Sequence, residues 1–383
     1  MQIIHYSGEQ VCYCLTFRPV HHLNGPFFLP KQIIHMKTET TSTTRRQTKY
    51  LGSFETEKAV QIIKDHFSKQ LEINLQLQKV NAPLLIQQST GLNDNLNGTE
   101  KAVKVKIKGL KQKDAVVVHS LAKWKRDKLK RYDIPEDKGI YTDMHALRQD
   151  EELSAIHSVF VDQWDWEVHL SSKERTIENL KKKVKSIYSS IRKTDRLLKT
   201  IYPQLMSKLA PEIFFIHSEE LLNMYPEFST KERENAIAKK HKAVFIIGIG
   251  GVLQNGEPHD GRAPDYDDWS SIDPESGYKG LNGDLIVWHP ILEQAFELSS
   301  MGIRVNSESL QEQLTLSNTT ERKDLPFHQK VLKNELTQSI GGGIGQSRLC
   351  MFLLNKRHIG EVQASVWPEY TTDALARDGI QLL

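Results

Sequence analysis

The sequence predicts an α+β fold, a central and mostly antiparallel sheet flanked by helices. Three observations carry that expectation. Strand-like segments follow one another in adjacent runs instead of alternating strictly with helices, which favours antiparallel pairing over a doubly wound sheet. Two stretches repeat apolar residues at helical spacing: Val60, Ile63, Phe67 and Leu71, then Leu180, Val184, Ile187, Ile191 and Leu198. Late in the chain a glycine-rich stretch, Gly341-Gly342-Gly343-Ile344-Gly345, reads as a turn that feeds an apolar segment opened by Ser347 and Arg348.

At 383 residues the chain is long enough to bury a large core. Its 51 basic and 48 acidic residues nearly cancel, so nothing at this level demands a nucleic acid, and no stretch approaches a transmembrane span. Three cysteines, Cys12, Cys14 and Cys350, make neither a disulfide framework nor a four-ligand zinc set, and a reducing cytoplasm is the expected compartment. Residues 1–50 stand apart, with a Gly25-Pro26 pair and a polar run from Thr38 to Arg46. They lack the apolar core and small-residue cleavage site of a secretory signal, although their Thr and Arg content fits a transit peptide loosely. They are expected to be a poorly ordered extension, with Met36 as an alternative start, ahead of a single domain over 51–383.

Order is expected from Ser53, where Glu55 and Glu57 favour a helix N-terminus. Val80 to Ile86 reads as extended, with Pro83 marking an edge or interface strand. Gly91 to Gly98 is a turn-rich loop holding one carboxylate, Asp94. Val103, Val105 and Ile107 alternate with Lys104, Lys106 and Lys108, a half-buried strand whose lysines suit a solvated face or a nucleic-acid groove. Val116 to Ser120 reads as a buried strand, and Leu121 to Arg126 opens a short helix.

Gly139 to Arg148 is extended and a loop over Gln149–Ser154 returns it into His157–Glu167. A strand there puts Val161, Gln163 and Asp165 on one face and Phe160, Asp162, Trp164 and Trp166 on the other. Polar groups on a central strand need partners, and a ligand is one way to supply them. Ile213–Ile216 and Val244–Ile247 read as buried strands, with a capping box at Ser229-Thr230-Lys231-Glu232 opening a helix between them. Gly248-Ile249-Gly250-Gly251 follows a strand but leads into turns, which removes a dinucleotide reading. Asp265, Asp267 and Asp268 fall within four residues, and metal binding, substrate-ammonium binding and simple solvation suit them equally. Asp284 to His289 and Phe296 to Val305 are strands, Cys350 packs in an apolar helix, and Val362 to Trp367 is expected to close the chain as a strand.

A nucleoside triphosphate with its metal needs two carboxylates for a hard cation, arginines for phosphates and glycines for close approach. Asp284 and Glu297, Arg148 and Arg348, and the glycines before Arg348 supply those types.

This arrangement resembles the class II aminoacyl-tRNA synthetase catalytic fold. The helix with Pro83 resembles its first motif, at the dimer interface. Arg148 to Glu167 resembles the second, and Gly343-Ile344-Gly345-Gln346-Ser347-Arg348 the third. Ser120-Leu121-Ala122-Lys123-Trp124-Lys125 and Val161-Asp162-Gln163-Trp164-Asp165 resemble aspartate-specific members, which usually carry an adenine-stacking phenylalanine where Val161 stands. Closer still is the resemblance to the ammonia-dependent asparagine synthetases, carried by His119–Arg126, Val161–Glu167, Arg262–Trp269 and Phe296–Arg304. It spans residue 54 to the C-terminus.

That resemblance implies activation of L-aspartate by ATP to β-aspartyl-AMP and pyrophosphate, then displacement of AMP by ammonia. It implies that Lys125 fixes the reacting carboxylate close to Arg148, and that Asp284 and Glu297 hold magnesium. Arg348 would meet the γ-phosphate or the adenine face, and Arg304 the aspartate α-carboxylate. Gln163, Asp165 and Asp267 would share the α-ammonium or neighbouring groups, with hydroxyl or backbone contacts from Ser120, Ser299 and Ser300. Val161, Gly343 and Gly345 would border ATP, and Asp94 would serve as the ammonia-step base. The partners implied are aspartate, ATP and ammonia, with no nucleic acid, no membrane, and a homodimeric assembly. Residue 2 is Gln, so no N-terminal cysteine glutaminase is visible; fifty residues are too few for an anticodon-binding barrel. A non-catalytic or tRNA-related paralogue is the alternative, and it predicts a broken site.

Overall fold

The computed structural model describes residues 51–94, 100–110, 114–205 and 209–383. The expectation for residues 1–50, and that for the tip of the Gly91–Gly98 loop, lie outside them. Helix α1 (Ser53–Leu75) buries Val60, Ile63, Phe67 and Leu71 on the predicted stripe and ends where Gln76 turns left-handed at φ 56°. It leads directly into β1 (Leu77–Lys79), a strand earlier than the Val80–Ile86 segment expected. Only the end of that segment is a strand, β2 (Leu85–Gln87), and Pro83 lies outside it. A small sheet joins β2 to β3 (Lys104–Val105) and β4 (Ala115–Val117) in the order β2-β4-β3, so the lysine-rich strand is much shorter than its alternation suggested.

Helix α2 (Ala122–Arg131) follows, then the long hairpin of β5 (Gly139–Leu147) and β6 (Phe160–His169). Helix α3 (Ile177–Ile201) buries the predicted Leu180–Leu198 stripe. It lies against α1, where His66 meets Thr194 at 3.0 Å and Asn74 donates to Ser190 at 2.7 Å. β7 (Phe214–His217), α4 (Ser218–Met224), α5 (Thr230–His241) and β8 (Ala243–Ile247) come next, and the Ser229/Glu232 capping box is formed as expected. β9 (Asn282–His289) and β10 (Gln294–Ile303) pair, followed by α6 (Ser307–Leu316) and α7 (Pro326–Leu332), two helices that the sequence pattern does not announce.

β11 (Ser339–Gly345), α8 (Gln346–Leu353) and α9 (Glu369–Arg377) complete the chain. Two expectations are corrected here. The glycine stretch is a central strand rather than a turn, because β6 and β10 pair with it on both sides. Val362–Trp367 pairs with no strand among the described residues; it packs as irregular chain, Gln363 donating to Ser347 at 2.9 Å, and α9 follows it.

Among the described residues the main sheet has eight strands, in the order β1-β5-β6-β11-β10-β9-β8-β7. Only its outer pairs, β1–β5 and β7–β8, are parallel. One face carries α1, α3 and α8 over a core that includes Phe67, Trp164, Leu180, Met301 and buried Cys350. No described helix is long and apolar enough to cross a membrane.

Candidate active site

The opposite face of β6, β11, β10 and β9 floors a cavity of about 250 Å³. The pleat aims Val161, Gln163 and Asp165 of β6 into it, while Asp162 points back to Lys64 (3.1 Å) and to the first amides of α8 (Ser347 N, 3.0 Å). β11 crosses the floor beside these residues, and its glycines make room for them. A Cβ on Gly341 would overlap the Glu167 carboxylate, and one on Gly343 would overlap the Gln163 amide.

β10 contributes through a bulge. Register with β9 shifts between Glu297 and Ser299, so Leu298 is the extra residue, and Glu297 and Ser300 come to one side. Ser300 Oγ donates to Asp284 Oδ1 at 2.5 Å and lies 3.2 Å from Glu297 Oε1, so one hydroxyl bridges the two acids. Arg262 reaches the same place, donating to Asp284 at 2.6 Å and to Ser300 at 2.9 Å. Burial lifts the Asp284 carboxyl to about 6 against the pull of Arg262. Glu297 goes the other way: burial opposes ionisation, but Arg348 and Arg262 hold its carboxyl below the usual range. Arg348, from the first turn of α8, donates to the Glu297 carbonyl at 3.1 Å and faces its carboxylate at 3.4 Å. Arg148, at the end of β5, closes this end of the cavity, its Nη1 3.9 Å from Glu151 and its buried Nε unpartnered. Gly345 borders it beside Arg348.

At the other end Arg304 is held rigidly. It donates from Nε to Glu167 at 2.9 Å and from Nη2 at 2.7 Å, and it also bonds Asp267. Burial raises the Glu167 carboxyl, but Arg304 and Lys125 outweigh it and keep it ionised. Lys125 bonds Asp165 and donates to the carbonyls of Trp166 (2.9 Å) and Gly342 (3.2 Å). Its pKa is lowered, burial outweighing Asp165 and Glu167. Asp94 sits across the cavity, accepting from Ser120 Oγ at 3.0 Å.

Fourteen of the sixteen expected site residues therefore line one cavity. Lys125 and Ser299 are the two that do not. Lys125 lies under the floor, and Ser299 Oγ is turned to the Gly343 carbonyl at 2.8 Å. The three acids of the 265–268 run part company. Asp265 pairs with Lys123 at 2.8 Å and Asp268 with Arg175 at 2.5 Å, both as buried anchors, and only Asp267 faces the cavity. Among the described residues no three His, Cys, Asp or Glu converge as a metal cluster. Arg262 and Glu167 also belong to the site, beyond the residues expected from sequence; an arginine opening an acidic loop is the signal the sequence carries for the first.

Residues 54–379 match the family model described as aspartate-ammonia ligase. A Parabacteroides distasonis aspartate–ammonia ligase is 55% identical over 333 residues, covering 87% of this chain and 96% of that protein. One from Fusobacterium nucleatum is 50% identical over 333 residues, with 87% and 98% covered. Among solved structures, asparaginyl-tRNA synthetase from Pyrococcus horikoshii complexed with asparaginyl-adenylate superposes with a TM-score of 0.60 at 13% identity, covering 82% of this chain and 70% of that one. The Entamoeba histolytica asparaginyl-tRNA synthetase gives 0.58 at 15% identity, with 81% and 66% covered. The fold is thus the class II synthetase catalytic fold, and the chain belongs to the aspartate–ammonia ligase family.

Proposed function

We propose that the protein makes L-asparagine from L-aspartate, ammonia and ATP in two steps, through β-aspartyl-AMP, releasing pyrophosphate and then AMP. The observation that supports this reading best is the division of one cavity into two ends. Arg148, Arg348 and the Asp284–Ser300–Glu297 cluster form a phosphate end; Arg304, Gln163 and Asp267 form an amino-acid end. Arg304, fixed by Glu167, takes the aspartate α-carboxylate, while Gln163, Asp165 and Asp267 surround the α-ammonium. Lys125 spends its ammonium on Asp165 and two backbone carbonyls, so it holds the Asp165 carboxylate in place from beneath and does not touch the substrate. Arg148 meets the α-phosphate and draws the reacting carboxylate close to the phosphorus. Val161 borders the adenine side, Gly343 and Gly345 leave space for ATP, and Arg348 meets the γ-phosphate or the adenine face. Ser120 and Ser300 add hydroxyl contacts and Ser299 holds the floor strand.

The all-oxygen set of Asp284, Glu297 and the Ser300 hydroxyl fits magnesium held jointly with phosphate oxygens, and the ion when bound would offset charge as pyrophosphate leaves. Asp94 is the carboxylate of the ammonia step, taking a proton from the attacking nitrogen. The catalytic domain is residues 51–383, acting in the cytoplasm without nucleic acid and as a homodimer. Among the described residues β1 is an edge strand of the main sheet, and an unpaired edge is a ready template for a second copy of the chain.

Purified protein with aspartate, ATP, magnesium and ammonium should yield asparagine, AMP and pyrophosphate; formation of ADP, or a need for transfer RNA, would overturn the reading. Arg348→Ala should abolish aspartate-dependent pyrophosphate exchange while the circular-dichroism melt is kept. Asp94→Asn should retain that exchange and lose asparagine formation, and loss of both would refute the division of labour.

A further inference from the structure

We propose that a second, smaller cavity is the ammonium intake of this site, and that His119 is the base that converts ammonium to ammonia there. The inference rests on the ligase reading above. The cavity is about 110 Å³, and Glu100, Asp150, Glu151 and Glu152 line it against Lys101 and Arg148. Four carboxylates facing two cations give a lining that attracts a small cation. Arg148 and Glu151 line both cavities, so their ion pair is a shared wall.

His119 belongs to this lining and is only 1% exposed. Its Nδ1 lies 3.2 Å from the backbone carbonyl of Asp94, which can only accept, so the neutral ring carries its proton there. That leaves the lone pair on Nε2, a buried atom with no hydrogen-bond partner. An unpartnered acceptor in an acidic cavity is the complement of an ammonium N–H. Burial and Arg148 lower the pKa of the ring, against Asp94 and Glu100, so it rests neutral with Nε2 free to accept. The ring is then a weaker base than ammonia, and the uphill transfer is drawn forward as the adenylate consumes the ammonia. The same segment is tied to the main site: His119 N donates to Asn93 Oδ1 at 2.9 Å, and Ser120 Oγ to Asp94 at 3.0 Å.

Ammonium gives one proton to Nε2, and the ammonia crosses the Arg148–Glu151 wall. Its lone pair forms the C–N bond to the β-carbonyl carbon, the C–O bond to phosphate breaks, and AMP leaves with that electron pair. The second proton, shed by the attacking nitrogen, goes to Asp94, and the His119 proton returns to solvent past the acidic lining.

The test is full-length His119→Gln, assayed for pyrophosphate exchange and for asparagine formation against total ammonium across neutral pH. The wild type should vary little with pH in kcat/KM for ammonium, because neutral His119 does the deprotonation. The variant should lose about 100-fold and gain about tenfold per pH unit, since only preformed ammonia then reacts. Exchange, which uses no ammonium, should continue, and hydroxylamine, a largely unprotonated nucleophile at neutral pH, should restore turnover. Asp150→Asn with Glu152→Gln, both exposed, should raise the ammonium KM several-fold and keep kcat. A wild type that itself rises tenfold per pH unit, or a His119→Gln enzyme with the wild-type profile, overturns the proposal. If His119→Gln fails to fold, an unchanged ammonium KM in the double variant does so instead. A wild type that makes no asparagine sinks the ligase reading, which is a different failure.

Discussion

Asp265 is a carboxylate held by three basic side chains from distant parts of the chain. It is fully buried and meets Lys123 at 2.8 Å, His328 at 2.9 Å and Arg322 at 3.4 Å. Burial alone would raise its carboxyl, but Lys123 and His328 hold it well below the usual carboxylate range. A depressed carboxylate adds stability above its unfolded pKa of about 4 and loses it as pH falls below that. Asp265→Asn should therefore cost about 3 kcal/mol at pH 7 by stranding Lys123, and the deficit should narrow below about pH 4. Urea melts at several pH values check both parts. In the sequence Asp265 was indistinguishable from Asp267, two positions on. What separates them is supplied from far away: Lys123 and His328 for one, Arg304 and the cavity for the other. By contrast the arginines and acids of the phosphate end were legible, because each stood in a motif whose order survives in one dimension.

The strand β11 carries the same lesson at the scale of elements. Glycine weakens strands in isolation, which is why Gly341–Gly345 reads as a turn. In the fold β6 and β10 supply the hydrogen-bond ladder, and the missing side chains are replaced by Glu167 and Gln163 from β6. Gly341→Ala should displace the Glu167–Arg304 pair, raising the aspartate KM at least about tenfold and costing about 2 kcal/mol, with a smaller change in the ATP KM. Steady-state exchange kinetics with each substrate varied separately would show it, and equal effects on both substrates would contradict this role. The bulge at Leu298 was equally hidden, since it exists only in the register between β9 and β10. The long helices α1 and α3, the β5–β6 hairpin and the alternation of β6 were legible, because periodicity over many residues is a local property.

At the scale of the whole molecule, the question is where the catalytic unit must begin. The family match starts at residue 54, but the packing begins earlier. Leu51 is buried in the main core, and its carbonyl accepts from Lys356 Nζ at 3.0 Å and from Thr56 Oγ1 at 3.3 Å. Lys356 is itself buried and also faces Glu361 at 3.4 Å, so residue 51 ties the start of α1 to the segment after α8. Removing 1–48 keeps this contact, whereas removing 1–52 deletes a buried leucine and leaves Lys356 short of an acceptor. The shorter deletion should retain asparagine formation and the wild-type urea midpoint. The longer one should lose about 2 kcal/mol from leucine burial, with a further loss from the stranded ammonium. Equal stability of the two truncated proteins would show that Leu51 is no anchor. Loss of activity on removing 1–48 alone would place part of the working enzyme in the extension.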